Sequence, residues 1–146
     1  MALKTSDEYL AKTDDLIKFL GQNRDVDFRV FDLQDEENLG RLNFTNFKRK
    51  LDEINFLIKA YQRLIRIIPD NDQQTALSLM RLGIHSSLQI AAMTRKDFMK
   101  KCLVALEESL ADTIYHNALA KRSAILVQYM NMLQNREPHI SAARFN

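Results

Sequence analysis

Chain breakers are scarce: the sequence has three glycines and two prolines in 146 residues. It also lacks valine–threonine alternation, so it predicts few turns and long helices. A single cysteine, Cys102, excludes an internal disulfide and fits a reducing compartment. No run of about 18 apolar residues occurs, so no membrane span is expected. The opening stretch MALKTSDEYLAKTDD is charged throughout and has no apolar core, which argues against a Sec signal peptide. The expectation is a chain that is cytoplasmic when made, with export as part of a larger assembly left open. Charge of one sign is lacking too. A formal net charge of +2 is too small to imply a polyanionic partner by itself.

Catalytic signatures are absent from the sequence. There is no GxxxxGKS/T, GxGxxG, GxSxG or HExxH. His85, His116 and His139 fall in a turn, a helix and the tail, without a carboxylate or cysteine at ligand spacing. Neither a metal nor a cofactor is expected. Cys102 sits on an apolar stripe beside Leu103 and reads as a buried structural thiol, because no basic neighbour is placed to lower its pKa. Asp70 and Asp72 follow Pro69 directly and read as helix caps before they read as paired acids. Glu107 and Glu108 lie at a helix start and read the same way. The chain is not expected to be an enzyme.

What is present is helical periodicity. Hydrophobic residues make up 46% and charged residues 27%, which is ordinary for a globular protein. At this length one core can bury about two thirds of the unfolded surface. The prediction is an all-α fold: a compact single domain over 1–146 with about five to seven helices and a flexible tail over 136–146.

Thr5 and Glu8 have capping-box spacing. Tyr9, Leu10, Thr13, Leu16, Ile17 and Leu20 then mark an amphipathic helix ending at Gly21. Val26, Phe28, Val30 and Phe31 fit either a short strand or an extended segment that pins two phenylalanines into the core. Gln34 to Gly40 reads as an exposed acidic loop. A long helix is predicted from Thr45 or Asn46 to Ile68, with Leu51, Ile54, Leu57, Ile58, Tyr61 and Leu64 inward. The helical period resumes after Phe98. It predicts a helix to about Leu106, a break near Glu107 to Ser109, and a long helix to about Asn135. Leu103, Leu110 and Ile114 are expected in the core.

Between these helices lies a short-helix corner over 69–98. Pro69 ends the preceding helix and pushes Ile68 out of the helical region. Asp70, Asn71 and Asp72 offer caps for a helix over Gln73 to Leu82, and Gly83 ends it in a left-handed conformation. Ser86 with Gln89, and Thr94 with Asp97, mark two further starts. Helix, Leu82-Gly83-Ile84 turn and helix have the outline of a helix-hairpin-helix, which presents amides to phosphate. A candidate interaction surface follows from this: Gly83, His85, Ser86 and Ser87, with Arg95, Lys96, Lys100 and Lys101 as counter-charge. The turn has one glycine and no lysine, so nucleic acid is the lesser expectation and a structural corner the greater.

Three stretches together carry a family likeness: FLGQNRDVDFRVFDL at 19–33, INFLIKAYQRLIRIIPDNDQQTALSLMRLGIHSSLQIAAMTRKDF at 54–98, and ESLADTIYHNALAKRSAILVQYM at 108–130. In order and spacing they resemble a helical module of the A subunits of bacterial insecticidal toxin complexes, a group that includes the related virulence-plasmid A proteins. The matching positions are Phe28-Arg29, Gln62-Arg63-Leu64, Pro69, Leu82-Gly83, Ser86, Ile90-Ala91, Met93, Arg95 and Phe98. In that family the module is part of a helical shell with no catalytic residue. The resemblance implies a non-catalytic structural or protein-interaction role in a toxin-like secreted assembly. Its partners would be other protein subunits or other parts of a larger toxin chain. The departure is size, because the family's subunits are very large.

Overall fold

A computed structural model describes the backbone of residues 6–136, and side chains over 12–135. Seven α-helices are found there: α1 (Ser6–Gln22), α2 (Glu36–Gly40), α3 (Leu51–Ile65), α4 (Gln73–Arg81), α5 (Ser87–Ala91), α6 (Arg95–Cys102) and α7 (Glu108–Arg136). Two 3-10 turns, Lys48–Lys50 and Pro69–Asn71, precede α3 and α4. No strand occurs among the described residues, so the fold is all-α. Thr5 and the tail beyond Arg136 lie outside the described residues.

The core follows the apolar periods. Thr13, Leu16, Phe19 and Leu20 of α1 are buried, as are Ile54, Leu57, Ile58, Tyr61, Leu64 and Ile65 of α3 and Ala76, Leu77, Leu79 and Met80 of α4. These three helices pack on one another, while α5 and α6 pack on the first half of α7. Ala111, Ile114, Tyr115 and Ala118 of α7 join the same cluster. Leu51 and Leu103, both expected inside, are about half exposed. Leu51 is the first residue of α3, and Leu103 follows the last residue of α6, where each element is leaving the core. Leu82 and Leu110 are half-buried at its edge.

Several element boundaries differ from the sequence reading. Gly21 lies within α1, because Asn23 rather than glycine closes the helix: its amide Nδ2 donates to the Phe19 carbonyl at 3.0 Å. Gln34–Gly40 is not wholly loop. The Asp35 carboxylate accepts from the Glu37 amide at 2.9 Å and caps α2. Thr45 and Asn46 do not start the long helix. Asn46 has φ 76°, and a 3-10 turn intervenes before α3. Val26–Phe31 forms turns without strand pairing. It does insert Phe28 into the core and Phe31 at its margin, with ring centroids 5.6 Å apart.

The corner over 69–98 closely follows its local signals. Ile68 is extended at φ −98°, ψ 130°, as the following proline requires. Asp72 precedes α4, but its carboxylate accepts from the Thr75 hydroxyl at 2.6 Å rather than from a backbone amide. Asp70 and Asn71 cap nothing there. Both are left-handed, with φ 59° and 51°. Gly83 has φ 83°. Its amide reaches the Met80 carbonyl at 3.0 Å, and the Ile84 amide reaches the Leu79 carbonyl at 3.1 Å. That bond pair, with buried Ile84 and Leu79, is a Schellman ending. Ser86 and Thr94 cap α5 and α6 through the Gln89 and Asp97 amides, each at 3.1 Å.

Candidate interaction surface

Polar side chains buried in a helical core need partners, and here they fasten the irregular segments to the helices. Gln62 on α3 donates its amide to the carbonyls of Phe28 and Phe31, both at 2.6 Å. Arg66, one turn later, donates to the Arg29 carbonyl at 3.3 Å. The 19–33 and 54–98 stretches therefore meet in space. Asn117 of α7 donates to the Ile67 carbonyl at 2.9 Å, and Asn71 to the Ile65 carbonyl at 2.7 Å, which serves the free end of α3.

The residues proposed from sequence as a surface at the corner do not form one free patch. Ser87 is buried, and Ser86 is occupied as a cap. The His85 amide donates to the Gln89 side chain at 2.8 Å, and the same side chain donates back to the Gly83 carbonyl at 3.0 Å. The His85 ring is half-buried rather than exposed and lies 5.2 Å from the Phe56 ring, centroid to centroid. Burial pushes its pKa below the ordinary value, with Lys12 and Arg63 adding to the effect. Arg95 pairs with Asp112 of α7 at 2.7 Å, so part of its charge is neutralised. Lys96, Lys100 and Lys101 are exposed on α6.

No group of three or more histidine, cysteine or acidic side chains suited to a metal occurs among the described residues. Cys102 is buried, and burial pushes its thiol up to about 11. A thiol so held stays protonated near neutrality and is a poor nucleophile. A groove of about 480 Å³ lies between the end of α1, the 23–29 turns and the Pro69–Asn71 turn. Its rim mixes Arg24, the Asp27–Arg29 ion pair and Asp70, so neither sign of charge prevails.

The largest departure from ordinary helix behaviour is in α7. Its first half is amphipathic and anchored. Tyr115 donates its hydroxyl to the Met93 carbonyl at 2.8 Å, and Arg122 donates to the Ala91 carbonyl at 3.2 Å. Beyond that point every described residue to Asn135 is exposed. Ile125, Leu126, Val127, Tyr129, Met130, Met132 and Leu133 are all among the exposed large apolar side chains, five of them more than half uncovered. At 100° per residue they span an arc of roughly 220° around the helix. Gln128, Asn131 and Asn135 fill the remainder. No charge occurs between Arg122 and Arg136. A helix apolar around most of its girth is ordinarily buried, yet no described part of the chain covers this one.

Ile125, Leu126, Met130 and Leu133 continue the helical period that resumes after Phe98, and period alone does not register this surface. The available signal was the loss of charged residues after Arg122, which removes the solvated face that the first half of α7 possesses. No described helix is long and apolar enough to cross a membrane. Comparison with protein-family models, curated proteins and solved structures found no match to this chain.

Proposed function

We propose that the chain is a non-catalytic protein-interaction module, a helical building block of a toxin-like secreted assembly, and that it meets its neighbours through the second half of α7. One observation carries the interaction role: an uncharged apolar helix segment about 20 Å long stands clear of the described body. Apolar patches of this extent mark protein contacts in soluble proteins. The assembly itself rests on the sequence resemblance, whose matched positions serve packing and capping here. Gln62 fixes the 28–31 turns, Pro69 and Gly83 shape the corner, and Phe98 is fully buried. Such positions suit a scaffold.

The experiment is affinity capture from the native organism with wild type and a Leu126→Glu/Leu133→Glu variant, together with inspection of neighbouring genes. The expected result is secretion- or toxin-related subunits recovered by wild type and lost with the variant. Identical recovery by both proteins, or neighbours unrelated to secretion, overturns the reading.

The nucleic-acid alternative finds less support. The Gly83, Ile84, His85 and Gln89 amides already have acceptors, which leaves few donors for a phosphate at the turn.

A further inference from the structure

Resting on the reading of α7 as a docking surface, we infer that its occupant is a second copy of this chain: the two exposed segments pair side by side and antiparallel about a two-fold axis near Tyr129. Three features of the segment favour its own copy. The first is area. Each of its seven large apolar side chains is between 37% and 59% exposed. Side chains of this size uncover on the order of 100 Å² each at that exposure. The five that face the seam (Ile125, Leu126, Tyr129, Met132 and Leu133) sum to roughly 500 Å² per copy, about 1,000 Å² for the pair, which reaches the lower limit of a specific interface.

The second is chemistry. A copy brings no charge into the seam, because Ser123 to Asn135 has none. The neutral Gln128, Asn131 and Asn135 flank the seam without placing an uncompensated ion in it.

The third is register. Pairing about Tyr129 sets Ile125 opposite Leu133, Leu126 opposite Met132, and Tyr129 opposite itself. With helical spacing these five residues share one face, while Met130 lies to its side and Val127 faces away. An arc this wide exceeds a two-helix seam. Val127 and Met130 stay outside the seam, and the antiparallel arrangement extends the seam at each end, because it sets position 136 of one copy at the level of the other copy's Arg122. Arg122 is bonded to Ala91 of α5, so the end of each segment reaches the α5 side of the other copy, where Leu88 is half exposed. A parallel pair brings no such surface to the free ends. The two-fold contact is isologous and closes at two copies.

The seam itself carries no charge, so self-association should change little with salt, whereas contact with an acidic partner or a nucleic acid would loosen as salt rises.

Sedimentation equilibrium of the full chain tests the proposal. Wild type is expected at twice 17.0 kDa, with a dissociation constant that changes little between about 50 mM and about 500 mM salt. Leu126→Glu/Leu133→Glu should weaken association at least about 100-fold, since it places charges in an apolar seam. Tyr129→Cys should form an intermolecular disulfide on mild oxidation, because the axis brings the two copies of that position together. The buried Cys102 of wild type should not. Circular dichroism confirms that the variants remain helical. A wild type that stays monomeric at about 500 µM, or a double variant that dimerises as wild type does, overturns the second copy as occupant. The broader reading is separately readable: a monomeric wild type that still recovers a partner lost with the double variant keeps α7 as a docking surface for another protein. No loss in either assay removes both.

Discussion

Asn23 grips both backbone groups of Asn43: its Oδ1 accepts from the Asn43 amide at 2.7 Å, and its Nδ2 donates to the Asn43 carbonyl at 3.0 Å. The same Nδ2 serves the Phe19 carbonyl. One buried side chain thus ends α1 and holds the segment that delivers Phe44 and Phe47 to Phe19, whose ring they approach at 5.2 and 5.9 Å. Asn23→Ala should cost about 1–3 kcal/mol, since buried polar groups lose their partners. Asn23→Asp should be at least as costly, because a carboxylate oxygen would face two carbonyls. Urea unfolding of both variants measures this. A loss within surface-mutation scatter would show that the 43–47 segment is held by its phenylalanines alone.

Gln62 permits a sharper test. Its amide nitrogen donates to two carbonyls at 2.6 Å from a buried position. Gln62→Glu preserves shape but replaces the donor with an acceptor. In the folded state the carboxylate is disfavoured, so its pKa rises above the unfolded value of about 4.3. Stability relative to wild type should then be greatest below that value, where a protonated carboxyl can still donate once. It should decline as pH rises through the folded-state pKa. Urea midpoints of wild type and variant across acid and neutral pH give the curve. A pH-independent difference would mean that the turns at 28–31 move away and leave the carboxylate hydrated.

These two side chains also explain what the sequence reveals and what it withholds. Pro69, Gly83, Ser86 and Thr94 act on residues within a turn or two of themselves, so the corner is readable from local spacing. The 23–47 segment is ordered by Asn23 and Gln62 reaching backbone 20 to 34 residues away, and no local pattern encodes such partners. Gly21 misleads as a stop signal because Asn23 performs that task two residues later. Leu126 and Leu133 continue the helical period of α7 yet lie exposed. Helical period shows that a residue is apolar on a given face, but not whether anything in the chain is there to cover it.

Cys102 gives a prediction in alkaline solution. Burial pushes its thiol from 9.0 to about 11, with Lys101 pulling slightly the other way. A raised folded-state pKa means that the associated stability is fully present below pH 9.0 and is lost as pH climbs to about 11. Melting temperature should fall over that interval more in wild type than in Cys102→Ser, which has no thiol to ionise. Native protein should also react slowly with a thiol reagent near neutrality and rapidly once urea exposes the residue. Fast native labelling would place the thiol at the surface.

The corner is expected to shape the chain rather than recognise a partner, and glycine changes at two sites test the structural half of that statement. Gly83 sits at φ 83°, so Gly83→Ala should destabilise by about 1 kcal/mol or more through backbone strain. A Cβ at Gly21 would meet nothing within 4 Å, and the residue is helical. Gly21→Ala should therefore stabilise by about 0.5–1 kcal/mol. The opposite signs separate a required glycine from a tolerated one on the same melting curves. His85→Glu tests the other half. Its ring lies against Phe56, so the change should lower the melting temperature modestly, while the folded protein keeps its affinity for whatever docks on α7. An unchanged melting temperature with lost affinity would reverse the assignment and make the turn after α4 the recognition surface. In the scaffold reading, affinity follows Leu126 and Leu133, while stability follows Gly83 and His85.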